Sequence, residues 1–185
     1  MMPWMSSWSW TPWLVAAMLF FWGVGGYNRM MRLRNAIGTA YGQLDGLLVQ
    51  RAQLCARLLE QLRPLLQNEQ ATFDALENAQ GEAQAAANAV RAKPYAADPV
   101  AALAVAAAVH AAALTRLMSL VEHHGALAEH PEVFALVDEL KMVERQRAFA
   151  RQVFNQAVGV YNEAVQQFPT RLLASFFGFG EARSL

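Results

Sequence analysis

LRNAIGTAYGQLDGLLVQRAQLCARLLEQLRPLLQNEQATFDAL, residues 33–76, is the stretch whose reading decides the fold. Apolar residues recur along it at alternating steps of four and three: Leu33, Ile37, Ala40, Leu44, Leu47, Leu54, Leu58, Leu62, Leu65, Phe73 and Leu76. Arg51 and Glu69 occupy two places in the same series. This spacing keeps side chains on one stripe of a helix, so it predicts a long helix packed lengthwise against others. No Asn-Gly or Pro-Gly turn interrupts it. Pro64 removes one backbone donor and predicts a kink with a local change of register.

Upstream, the chain changes character. No charged side chain occurs before Arg29, and Trp10 to Gly26 is almost wholly apolar. A helix needs about 20 such residues to cross the hydrocarbon core. The expectation is a tail at 1–7 and a transmembrane helix at 8–27. Trp10 and Trp13 stand at one end of the span, Trp22 and Tyr27 at the other, as indole and phenol rings prefer the membrane interface. The segment ahead of the span lacks the lysines and arginines of a cleaved signal peptide. Arg29, Arg32 and Arg34 follow the span directly, which places the C-terminal side in the cytoplasm and the short N-terminus outside.

Downstream, residues 81–92 are alanine-rich, and 93–99 (KPYAADP) break the helical pattern. Asp98 with Pro99 suits the start of a second helix, reaching His124 with Gly125 as its cap. His130-Pro131 opens a third helix, with a seam of Val133, Val137, Leu140, Glu144, Arg147, Arg151, Phe154, Val158, Tyr161, Val165 and Phe168. Pro169 ends it. A short amphipathic helix with Leu172, Leu173, Phe176, Phe177 and Phe179 follows; its aromatics are read as capping the bottom of the bundle, with contact to a membrane or a second subunit as the alternative. No segment alternates with a period of two, so no sheet is expected. The predicted fold is all-α: one N-terminal transmembrane helix, then an elongated antiparallel bundle (28–180) of three long helices plus a short C-terminal helix, and a tail at 181–185.

Fifteen basic and fifteen acidic residues balance. Without a basic excess there is no counterion release to drive nucleic-acid binding, and no nucleic-acid partner is expected. The single cysteine, Cys55, excludes an intrachain disulfide and reads as a small buried side chain. Arg51, Glu69, Glu144, Arg147 and Arg151 fall where apolar residues belong. Buried charges must be paired, so these are read as a structural polar network that fixes helix register. Arg51 and Glu69 lie about 27 Å apart along an unbroken helix and cannot share one site. Asn155 and Asn162, seven apart on one face, are read as interhelical hydrogen-bonding residues. His110, His123, His124 and His130 are read as solvated turn and cap residues. His123 and His124 diverge by about 100° on a helix, poor for joint ligation. No phosphate loop, nucleophile elbow or Cys-x-x-Cys pair is present, so no catalytic, cofactor or metal residues are assigned.

Two blocks of residues resemble the LemA family. The first runs through Tyr27-Asn28, Leu33-Arg34-Asn35, Ala40, Gln43, Asp45, Arg51 and Leu54. The second runs from Glu144 through Ala150-Arg151, Phe154-Asn155, Val158 and Tyr161-Asn162 to Phe168-Pro169, Ala174 and Gly178-Phe179, with His130-Pro131-Glu132 and Glu122 between the blocks. Two positions depart from the family pattern: Cys55-Ala56-Arg57 replaces an Ile-Pro-Asn stretch, and Asn68-Glu69 a His-Glu pair. The resemblance implies a membrane helix, an external N-terminus and a helical bundle in the bacterial inner membrane, and brings no catalytic mechanism. The expected function is a non-enzymatic, membrane-anchored scaffold that self-associates through helix packing, with the lipid membrane and an unidentified protein as further partners. The alternative is a signalling or adaptor module that couples a membrane cue to a cytoplasmic partner, with Pro64 as its hinge.

Overall fold

The computed structural model describes residues 10–125, 127 and 130–185, and every regular element among them is helical. The expected tail at 1–7 and the first residues of the expected span lie outside the described residues. Helix α1 (Thr11–Leu62) is 52 residues long, about 78 Å at 1.5 Å per residue. Pro12 sits in its first turn, where a missing N–H costs nothing. Its first buried residue is Met30, so the N-terminal third projects beyond the bundle.

Pro64 ends α1 instead of kinking it. The last turn closes with the Arg63 N–H on the Leu59 carbonyl at 2.9 Å, and a short 3-10 turn at Gln67–Glu69 leads into α2 (Gln70–Ala92). The expected continuous helix through residue 76 is therefore an antiparallel hairpin. Arg63 pairs with Glu77, Asp45 with Arg91 at 2.7 Å, and the Tyr41 hydroxyl donates to the Ala87 carbonyl at 2.8 Å. The bundle has four long helices, not three.

Helix α3 (Ala97–His123) follows a four-residue turn. It starts two residues ahead of Pro99 with Ala96 at the cap position, so Asp98 lies in the first turn and is not the cap. At the other end His124, not Gly125, holds the capping position. Helix α4 (Pro131–Gln166) returns along α1, and α5 (Thr170–Phe177) closes the chain's helices. Cross-helix pairs fix an up-down-up-down order: Arg51 with Glu144, Gln80 with His110, Glu122 with Lys141. The most intimate pairs are α1 with α4 and α2 with α3. Alanine explains the second pairing. Ala79, Ala83 and Ala87 of α2 and Ala106 of α3 are buried, and a methyl group lets two backbones approach closely.

The core has two compartments. One, near the α2–α3 turn and α5, gathers Ile37, Tyr41, Leu103, Phe154 and Tyr161. The other, near the α1–α2 turn, gathers Leu58, Leu62, Phe73, Leu117 and Leu140. Phe168, placed by periodicity in the seam, is 81% exposed, because α4 stops at Gln166 and the chain turns away before it.

Candidate functional site

Between the two compartments lies a polar layer. Arg51 replaces one apolar step on the buried stripe of α1 and is 2% exposed. Its Nη1 reaches Glu144 Oε1 at 3.4 Å. Arg147, one turn further along α4, grips the same carboxylate with Nη2 at 2.8 Å and Nε at 3.1 Å from Oε2. Burial raises the Glu144 carboxyl, but hydrogen bonds and charge from Arg147 and Arg51 outweigh it, and the net shift is downward. Burial holds the Arg51 guanidinium below its ordinary value, and its Nε–H has no protein partner.

His110 completes the layer from α3. It is fully buried, with Nε2 2.8 Å from Gln80 Oε1 and Nδ1 without a partner. Burial, helped by Arg51, pushes its pKa down to about 4, so the ring is neutral at pH 7. This corrects the reading of His110 as a solvated residue. The signal was present: His110 stands in the buried series Val100, Leu103, Ala106, His110, Leu114, Leu117, Val121. Of the other histidines, His123 caps Ser119 O and His130 meets Glu132, both at the surface. The Cys55 thiol, one turn from Arg51, is buried and pushed up to about 11, which makes it inert.

Two expected members stand apart from this layer. Glu69 is the residue before α2 and accepts from the Thr72 hydroxyl at 3.2 Å, a helix-start role. Arg151 is exposed and lines a recess with Leu44, Leu48, Arg147, the α3 alanines and Leu185. It lies one turn beyond Arg147, where α4 has rotated toward the surface.

Asn155 and Asn162 do not bridge helices. Each holds the backbone of an extended strap, residues 180–185, in a reciprocal pair of hydrogen bonds. Asn162 Nδ2 donates to Ala182 O and the Ala182 N–H to Asn162 Oδ1, both 2.8 Å. Asn155 Nδ2 donates to Leu185 O at 2.7 Å and the Leu185 N–H to Asn155 Oδ1 at 2.8 Å. The spacing matches: seven helical residues rise about 10.5 Å, and three extended residues span about 10 Å. Tyr161 adds a bond to Gly180 O at 2.9 Å. Gly178, at φ +69°, makes the left-handed turn that launches the strap, and the Phe179 N–H returns to Ala174 O. The segment read as a tail at 181–185 is thus packed against α4.

At the far end, Trp10 precedes α1 at its cap position, Trp13, Trp22 and Tyr27 lie on it, and all four are exposed, the first two at 75% and 78%. Tyr27 meets Phe177 edge-to-face, with ring centroids 5.2 Å apart. Gly23 and Gly26 face Leu173 of α5. Among the described residues, the helix long and apolar enough to cross a membrane by length and composition is α3, a third of whose most apolar window is buried. The same residues contain no cluster of three His, Cys, Asp or Glu that could hold a metal.

The model of the LemA family matches residues 40–185. The chain belongs to the LemA family. No curated protein matches it. The match covers the polar layer, both clamp asparagines and the strap of this LemA chain, while the aromatic residues at 10–27 lie ahead of it.

Proposed function

We propose that this LemA-family chain is a non-enzymatic, membrane-anchored helical scaffold that self-associates, with α1 leaving the bilayer to become the first helix of a cytoplasmic bundle. The carrying observation is the projecting third of α1. Residues 11–24 bear no charge, touch little of the bundle and expose Trp13, Leu14, Met18, Phe20 and Phe21. In water such a face is costly, at about 25 cal/mol per Å² of apolar surface. Arg29, Arg32 and Arg34 then set the cytoplasmic side.

Helix α3 is the weaker candidate for the span, although its composition qualifies. It is tied along its length to α2, which carries Glu77, Glu82 and Arg91, and to α4 through Glu122–Lys141. Inserting α3 would drag those charges into lipid. Its outer face, with Val105 and Val109 exposed amid alanines, instead suits lateral contact with a second copy. The scaffold reading also fits the polar layer: Glu144 is engaged by two arginines, and the neighbouring Cys55 thiol is buried and pushed up to about 11, which keeps it protonated.

Alkaline carbonate extraction tests the anchor: the full chain stays with the membrane, and a chain beginning at Asn28 is released. In detergent, light scattering gives a multimer. Release of the full chain by carbonate, or a monomer at micromolar concentration, would sink the corresponding half of the reading.

A further inference from the structure

We infer that α5 is a second membrane contact, a seat lying in the bilayer interface beside the point where α1 leaves the lipid. This rests on the reading of α1 as the anchor. Helix α5 has two apolar faces. One is used inside the protein: Thr170 and Ala174 are buried, Leu173 lies against Gly23 and Gly26, and Phe177 meets Tyr27 edge-to-face. The other is unpartnered. Leu172 and Phe176, four apart on α5, are 62% and 83% exposed, and Phe168, in the turn just ahead of the helix, is 81% exposed. The step of four places Leu172 and Phe176 along one stripe of α5.

Position decides what covers that stripe. The α5 residues meet α1 between Leu19 and Tyr27, and the groove between the helices is lined by Leu19, Phe20, Val24, Leu173 and Phe176, all apolar. This is the last stretch of the span before Arg29. A bilayer that receives residues 11–24 therefore meets α5 at the same depth, and the stripe continues the lipid-facing surface of α1. Arg29 and Arg32, exposed just past this stretch on α1, and Arg171, exposed on α5 next to Leu172, would then fall at headgroup level, the arrangement of an interfacial amphipathic helix. The occupant is the bilayer itself, with acyl chains in the α1–α5 groove.

The test uses full chains in which Cys55 is replaced by alanine and one new cysteine carries an environment-sensitive fluorophore. Sites are Phe176→Cys and Leu172→Cys, with Leu19→Cys as the anchor reference and Val105→Cys as the outer-bundle reference. Vesicles of mixed phosphatidylcholine and phosphatidylglycerol are prepared with and without a nitroxide-bearing lipid. Quenching at 176 and 172 is expected within twofold of that at 19 and at least threefold that at 105. Quenching at 176 and 172 no greater than at 105, with strong quenching at 19, overturns the seat and leaves the anchor standing. A blue-shifted label at 176 without lipid quenching means that protein covers the stripe, and equally overturns it. Absence of quenching at 19 brings down the anchor reading, and the seat with it.

Discussion

Arg51 shows what one residue does when it interrupts an apolar series. Its charge is almost fully buried, so its partner determines whether the helix pair is stable. Removing the partner leaves an uncompensated buried charge. Glu144→Ala should therefore destabilise by about 3–5 kcal/mol, whereas Arg51→Met, which removes the charge and keeps the length, should cost clearly less. Urea unfolding of the two variants in detergent checks the order. Equal losses would mean that the pair acts only through packing. The polar positions were legible in the sequence because they broke a periodic pattern. Their pairings were not, because a partner 93 residues away is set by topology. That is why Arg151 was grouped with Glu144 on periodicity alone, and why His110 went unrecognised among its alanines.

At the level of elements, the sequence showed helix type well and helix ends poorly. Pro64 illustrates the reason. An apolar stripe on α1 that resumes on α2 looks continuous along the chain, since both stripes face the same core after the hairpin. Proline's missing donor is compatible with a kink or a stop, and only the room for α2 to fold back selects the stop. The asparagines were misassigned for a related reason: their shared face was readable, but not the extended strap that occupies it. The clamp is itself testable. Asn155→Ala and Asn162→Ala each remove two hydrogen bonds, at roughly 1 kcal/mol per bond. Hydrogen exchange should then accelerate at the Leu185 amide in the first variant and at the Ala182 amide in the second, with α4 amides unchanged. Unaltered exchange at both amides would show that Phe179 and Ala182 packing alone holds the strap.

Across the whole molecule, the buried imidazole makes stability depend on acidity. The folded pKa of His110 is near 4 and its unfolded value near 6.5. Above pH 6.5 both states are neutral and the residue contributes no pH dependence. Between 6.5 and 4 the unfolded chain gains a proton that the fold refuses, so stability falls as pH falls, by at most about 3 kcal/mol. Glu144, depressed in the fold, acts in the same direction at lower pH still, losing its contribution as pH drops through its folded value. His110→Gln should flatten the upper part of this acid limb in thermal melts recorded between pH 7 and 5. An unchanged slope would assign the limb to other groups.

The divided interior carries one consequence for how this molecule comes apart. The compartment nearest α5 is closed by the strap, by Tyr27 on Phe177 and by Arg34 between the Tyr95 and Phe179 rings. The opposite compartment ends at the α1–α2 turn and is flanked by the surface pairs Arg63–Glu77 and Glu122–Lys141. A proton reaching His110 strikes the partition between them. Opening is then expected to begin at the distal tip, like a clothes-peg whose spring sits at the other end, while the half beside α5 keeps its grip.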